Sequence, residues 1–154
     1  MKQLILLASA VAICLCATSC RTQTHYASTG HVATNTSEGV VTVRSTGTGA
    51  TKKKAITNAE HKAFDILFFR GLPESAQKRP MIGSNEESEK SKNRKWFNEF
   101  YESRYQTFII SSVPVGNATT NRTNETQITM EVKINLNALR RDLEGYGVIR
   151  KFGY

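Results

Sequence analysis

The chain has 154 residues, 39% of them hydrophobic and 22% charged, with a formal net charge of +8. That length fits one domain with its own core, and the composition excludes a collagen, a disulfide-knotted miniprotein and a multi-span membrane protein. The three cysteines, Cys14, Cys16 and Cys20, all fall within the first twenty residues.

Met1-Lys2-Gln3 is a short basic start, and Leu4 to Ala17 is a nearly unbroken apolar run. A spanning helix needs about 20 such residues, so this run has the length of a signal-peptide hydrophobic region. Ala17-Thr18-Ser19-Cys20 follows. This stretch resembles the lipobox of bacterial lipoproteins. The resemblance implies that residues 1–19 are a cleaved signal peptide and that Cys20 becomes the acylated first residue. Several acyl chains on one residue anchor firmly where a single chain does not. Cys14 and Cys16 leave with the signal, so the mature chain has no intrachain disulfide and rests on its core. Arg21 stands where an Asp would retain such a lipoprotein at the inner membrane. The expected location is therefore the periplasm-facing side of the outer membrane.

Residues 20–38 carry the anchor and a Thr- and Ser-rich stretch without apolar period. It reads as a tether with a root-mean-square reach of about 20–25 Å. Residues 39–154 read as a single domain. Val40, Val41 and Val43 predict a short strand, and Gly47 and Gly49 a turn after it. Ala50 to Arg70 predicts a helix, with Ala55, Ala59, Ala63, Ile66 and Leu67 on one face. Gly71 and Pro73 stop it. Residues 71–95 predict a long, exposed, partly mobile loop. A second helix is expected from near Glu87, with Trp96, Phe97, Phe100 and Tyr101 forming an aromatic stripe. Residues 103–115 are strand-like, and 116–124 form a polar hairpin loop. Ile128, Met130, Val132, Ile134 and Leu136 alternate with polar residues, which predicts a half-buried strand. Asn137 is the expected N-cap of a short helix holding Leu139 and Leu143. The fold class is α+β: an antiparallel sheet of three to four strands with helices packed on one face.

Candidate chemistry is sparse. Gly47-Thr48-Gly49-Ala50-Thr51-Lys52 precedes a helix and could hold a generic anion through backbone N–H groups and Lys52 to Lys54. It matches neither a Walker loop nor a dinucleotide fingerprint. His25 and His31 lie in the tether, and His61 has only Asp65 one turn on, which reads as a solvated pair rather than a metal site. Glu86, Glu87 and Glu89 sit among lysines and read as surface. No nucleophile elbow is present. The chain is therefore read as not an enzyme, with no cofactor and no metal. Its basic residues are scattered: Lys52–Lys54, Lys78–Arg79, Lys90–Lys95, Arg140–Arg141 and Arg150–Lys151. No RNA-binding motif or recognition helix joins them, so nucleic acid is not expected. Three N-x-T sequons, at Asn117, Asn121 and Asn124, read as a polar loop in a bacterial chain.

The segment from Val40 to Phe69, with its Gly-x-Gly element and alanines every four residues, resembles the opening of small dodecin-like envelope lipoproteins. The N-terminal domain of a flagellar assembly protein shares that opening. The resemblance implies a structural or assembly role and supplies no catalytic residues. Small lipoproteins of this size also accompany trans-envelope machines such as the type VI secretion apparatus. The expected function is thus a non-catalytic, lipid-anchored envelope protein. It would hold the membrane through Cys20 and dock an envelope protein partner or another copy of itself. The expected contact residues are Trp96, Phe97, Phe100, Tyr101, Tyr146, Phe152 and Tyr154. The alternative is a periplasmic binding module for cell-wall polymer or another anionic ligand, using a pocket under the 71–95 loop.

Overall fold

The computed structural model describes residues 31–32, 39–73, 75 and 77–151. The leader, Cys20, most of the tether, Phe152 and Tyr154 lie outside the described residues. In chain order the elements are β1 (His31–Val32), β2 (Val40–Gly49), α1 (Lys52–Phe69), α2 (Glu86–Lys92) and α3 (Arg94–Glu102). A 3-10 turn (Arg104–Phe108), β3 (Ile109–Pro114), β4 (Thr119–Thr120), β5 (Thr126–Asn135) and α4 (Leu136–Gly145) complete the order. The fold is α+β. The antiparallel sheet runs β1-β2-β5-β3, with β4 pairing β5 off that path.

The centre of the sheet is the β2–β5 pair, in unbroken register from Val40↔Asn135 to Gly49↔Thr126. Alternation then puts Val41, Val43, Ile128, Met130, Val132 and Ile134 on one face, all buried. The other face is polar: Arg44 pairs with Glu131 at 3.2 Å, and the Thr46 and Thr129 hydroxyls meet at 2.9 Å. β2 is longer than the three valines imply. It runs through Gly47 and Gly49, which the sequence placed in a turn.

The reason is the helix above it. A Cβ on Gly47 would stand 2.1 Å from the Ala55 carbonyl oxygen and 2.3 Å from the Ala59 nitrogen. The glycines let α1 lie directly on the strand, and Ala55, Ala59 and Ala63 have no exposed surface. Three hydrogen bonds stitch the two together. The Ser45 hydroxyl donates to the Ala59 carbonyl at 2.7 Å, the Thr48 N–H to Asn58 Oδ1 at 3.1 Å, and Lys62 Nζ to the Thr46 carbonyl at 3.1 Å. Thr51 caps α1, its hydroxyl accepting from the Lys54 N–H.

Beyond the sheet, α1 ends in aromatics. Phe68 is ringed by Phe64, Phe69, Trp96, Phe97 and Phe100 at centroid distances of 5.3–6.1 Å. These rings hold α3 against α1. The segment after α1 is only in part the exposed loop expected for 71–95, and Glu86–Lys92 within it is helical. Leu72, Ser75 and Gln77 are buried. The Met81 and Ile82 N–H groups donate to the Leu67 and Phe68 carbonyls at 3.0 and 3.1 Å, satisfying acceptors that the end of α1 leaves open. Asn85 then caps α2 by accepting from the Ser88 N–H at 3.1 Å. At the other end of the chain, the N-cap of α4 is Asn135, which accepts from the Ala138 N–H at 3.0 Å. The expected cap, Asn137, lies inside the helix.

Candidate functional site

The expected contact stripe on α3 is a core element. Trp96, Phe97 and Phe100 are 5%, 4% and 0% exposed, so they are withdrawn as partner contacts. Period and composition marked them correctly as apolar, but α1 and the 3-10 turn cover the face they share. Trp96 stacks on Phe100 at 4.7 Å and donates its indole N–H to Asp142 Oδ2 at 3.1 Å. Asp142 also accepts from Arg104, whose guanidinium lies 4.3 Å from the ring of Tyr146. Tyr146 itself is 59% exposed and is the one expected aromatic contact that the described residues leave on the surface.

Tyr101 is half-buried and belongs to a polar cluster that ties three helices together. Its hydroxyl donates to Asp65 Oδ1 at 2.6 Å, and Lys90 Nζ donates to the same oxygen at 3.1 Å and to Glu86 at 2.8 Å. Burial, reinforced by the Asp65 carboxylate, raises the Tyr101 phenol well above its ordinary range. His61 is not half of a solvated pair with Asp65. It packs between the rings of Tyr101 and Tyr105, at 4.8 and 4.6 Å, and its Nε2 is buried without a hydrogen-bond partner. Burial lowers its pKa, and the nearby Asp65 and Glu60 carboxylates only partly offset that. Among the described residues no group of three His, Cys, Asp or Glu side chains is placed to hold a metal ion.

In the Gly47–Lys52 segment the two glycines make room for α1. The space that bare glycine Cα atoms would offer a ligand is filled by the backbone of α1 at Ala55 and Ala59.

A groove of about 660 Å³ lies along the 71–95 segment, where the alternative reading expected a pocket; what linear spacing did not reveal is the set of cations that meet there. The groove lies between the segment that folds back over α1 and the end of α4. Among the described residues five cationic side chains line it, Lys78, Arg79, Lys92, Arg140 and Arg150, with one carboxylate, Glu89. They come from four chain regions that look scattered in sequence, and only the fold brings them to one rim. Below the rim the lining is apolar: Met81, Ile82, Val148 and Ile149, all packed against the core. Gln77 organises one wall. It is 8% exposed, accepts from Arg140 Nη2 at 2.9 Å and donates to the Arg79 carbonyl at 2.6 Å. The volume falls within the range of about 300–1,000 Å³ typical of ligand pockets. Such a rim concentrates anions and can hold carboxylates or phosphates with guanidinium forks.

No helix among the described residues is long and apolar enough to cross a membrane. Comparison with protein-family models, with curated proteins and with solved structures finds no match for this chain.

Proposed function

We propose that this chain is a non-catalytic, lipid-anchored envelope protein whose domain docks an acidic partner, as a structural or assembly subunit. The anchor rests on the basic start, the apolar run and the Ala17–Cys20 stretch, and Arg21 after the cysteine supports the outer membrane. The single observation that carries the docking half is the groove, whose rim among the described residues holds five cations and one carboxylate. Net positive charge alone would steer acidic partners without specificity. Convergence of cations on a concave, apolar-floored site gives them a place to bind. A second reading, a module for a cell-wall polymer, draws on the same guanidinium groups of Arg79, Arg140 and Arg150, which suit phosphate as well as carboxylate.

Two measurements test the two halves. Cys20→Ser should abolish acylation and move the protein out of the membrane fraction; unchanged fractionation would refute the anchor. For the groove, the full-length chain is titrated with oligoglutamate. The exposed pair Arg79→Glu and Arg150→Glu together should weaken binding by about tenfold or more at low salt. An unaltered affinity with the fold intact would remove the groove from the proposal.

A further inference from the structure

We infer that the occupant of the groove is an acidic peptide segment of a partner protein with apolar side chains interspersed among its carboxylates. The inference rests on the docking reading above and names the chemistry of its ligand.

Two tiers of the groove point to this. The upper tier is cationic. Lys78 and Arg79 stand on one bank, Lys92 at the end of α2 on another, and Arg140 and Arg150 opposite. The lower tier is apolar and fixed on both sides by backbone hydrogen bonds. Met81 and Ile82 are held to the end of α1 through Leu67 and Phe68. Val148 is held to the end of α4, its N–H donating to the Leu143 carbonyl at 2.9 Å. The floor is therefore built before a ligand arrives, which lowers the ordering cost of binding.

A wholly hydrophilic polymer would satisfy the rim but would gain nothing from the floor. Interfaces draw most of their affinity from apolar anchors seated at the centre, with charges at the edge steering and orienting. A ligand carrying both chemistries uses both tiers. An acidic peptide does so by alternating side-chain types along one strand, with carboxylates to the rim and aliphatic groups to the floor. A lipid acyl chain is a poorer fit, because a groove open to solvent leaves much of the chain wet. Gln77 strengthens the case for a built site, since this buried amide positions both Arg140 and the backbone carrying Arg79.

The test compares two labelled peptides on the unaltered acylated protein in neutral-lipid vesicles. One is a repeat of Glu-Leu, which alternates along an extended strand; the other is oligoglutamate with the same number of carboxylates. The repeat should bind about tenfold more tightly, the effect of seating one or two aliphatic side chains. Ile82→Ser with Val148→Ser should erase that advantage and leave oligoglutamate binding in place, with circular dichroism confirming the fold. Equal affinity of the two peptides would overturn the inference and leave the anion-docking reading standing. Binding of neither peptide would overturn both. Full displacement of the repeat peptide by phosphatidylglycerol vesicles would also overturn it, assigning the groove to a membrane surface.

Discussion

Gly47 shows how one atom decides where a helix can lie. It faces the core from β2, opposite Ile128, on the same side as Val41, Val43 and Ser45. Any Cβ there meets backbone at 2.1–2.8 Å rather than the flexible end of a side chain, so the neighbour cannot simply swing away. Gly47→Ala should push α1 off the sheet and cost about 1–3 kcal/mol, the range for overpacking a closed core. Gly145→Ala is the matched control. It lies in the last turn of α4 with nothing within 4 Å of the added methyl, and should be neutral or raise stability by up to about 1 kcal/mol. Urea unfolding of both checks this; equal midpoints would refute the close approach. The sequence reads Gly-x-Gly before a helix as a turn because a turn and a close crossing demand the same residue. What separates them is the period-two pattern continuing through Ser45 into Gly47, which three valines alone do not disclose.

At the scale of elements, the edge strand β3 manages a conflict between composition and exposure. Ile110 and Val113 are 52% and 53% exposed on a strand without a charged residue. Such an edge invites pairing with another chain. Two features blunt it. The register shifts between Ile109 and Ser111, leaving Ile110 as the extra residue of a bulge. Pro114 supplies the second. The Val115 N–H donates inward to the Thr129 carbonyl, so by alternation position 114 faces outward, where proline has no N–H to offer. Pro114→Thr restores that donor. It should make the domain self-associate at lower concentration than the parent, with little change in unfolding midpoint, and sedimentation velocity reads the difference. An unchanged concentration dependence would show that the bulge alone protects the edge. Strand β5 was legible at its four buried positions, Ile128, Met130, Val132 and Ile134, but the fifth expected residue, Leu136, opens α4 instead. The α3 stripe was legible as apolar but not as interior. Its pattern is the same whether it meets a partner or α1, and only tertiary packing decides.

At the scale of the molecule, residues from distant segments meet in ways that spacing along the chain cannot show. The basic groove is one case, drawn from residues between Lys78 and Arg150. The cluster joining α1, α2, α3 and the 3-10 turn is another, and it makes stability depend on pH. Glu60, His61 and Asp65 face it from α1, Glu86 and Lys90 from α2, Tyr101 from α3, and Tyr105 from the 3-10 turn, where its hydroxyl donates to Glu60 at 3.3 Å. In the unfolded chain His61 takes up a proton near its ordinary pKa of about 6.5. In the folded chain burial holds that pKa lower, so between the two values the unfolded state binds more protons. Stability is therefore complete above the unfolded value and falls as pH drops through 6.5 toward the folded one. Tyr101 has the opposite slope. Its raised pKa keeps the folded phenol protonated when the unfolded one ionises, so stability falls again above about pH 10. Urea titrations across acid, neutral and alkaline pH should trace a plateau with a decline on each side. His61→Phe preserves a ring between Tyr101 and Tyr105 while removing the acid-side titration. It should flatten the decline below pH 6.5 and leave the alkaline one intact. Tyr101→Phe should do the reverse, because it removes the phenol and leaves Lys90 on Asp65. An acid slope that survives His61→Phe would place that titration elsewhere in the chain.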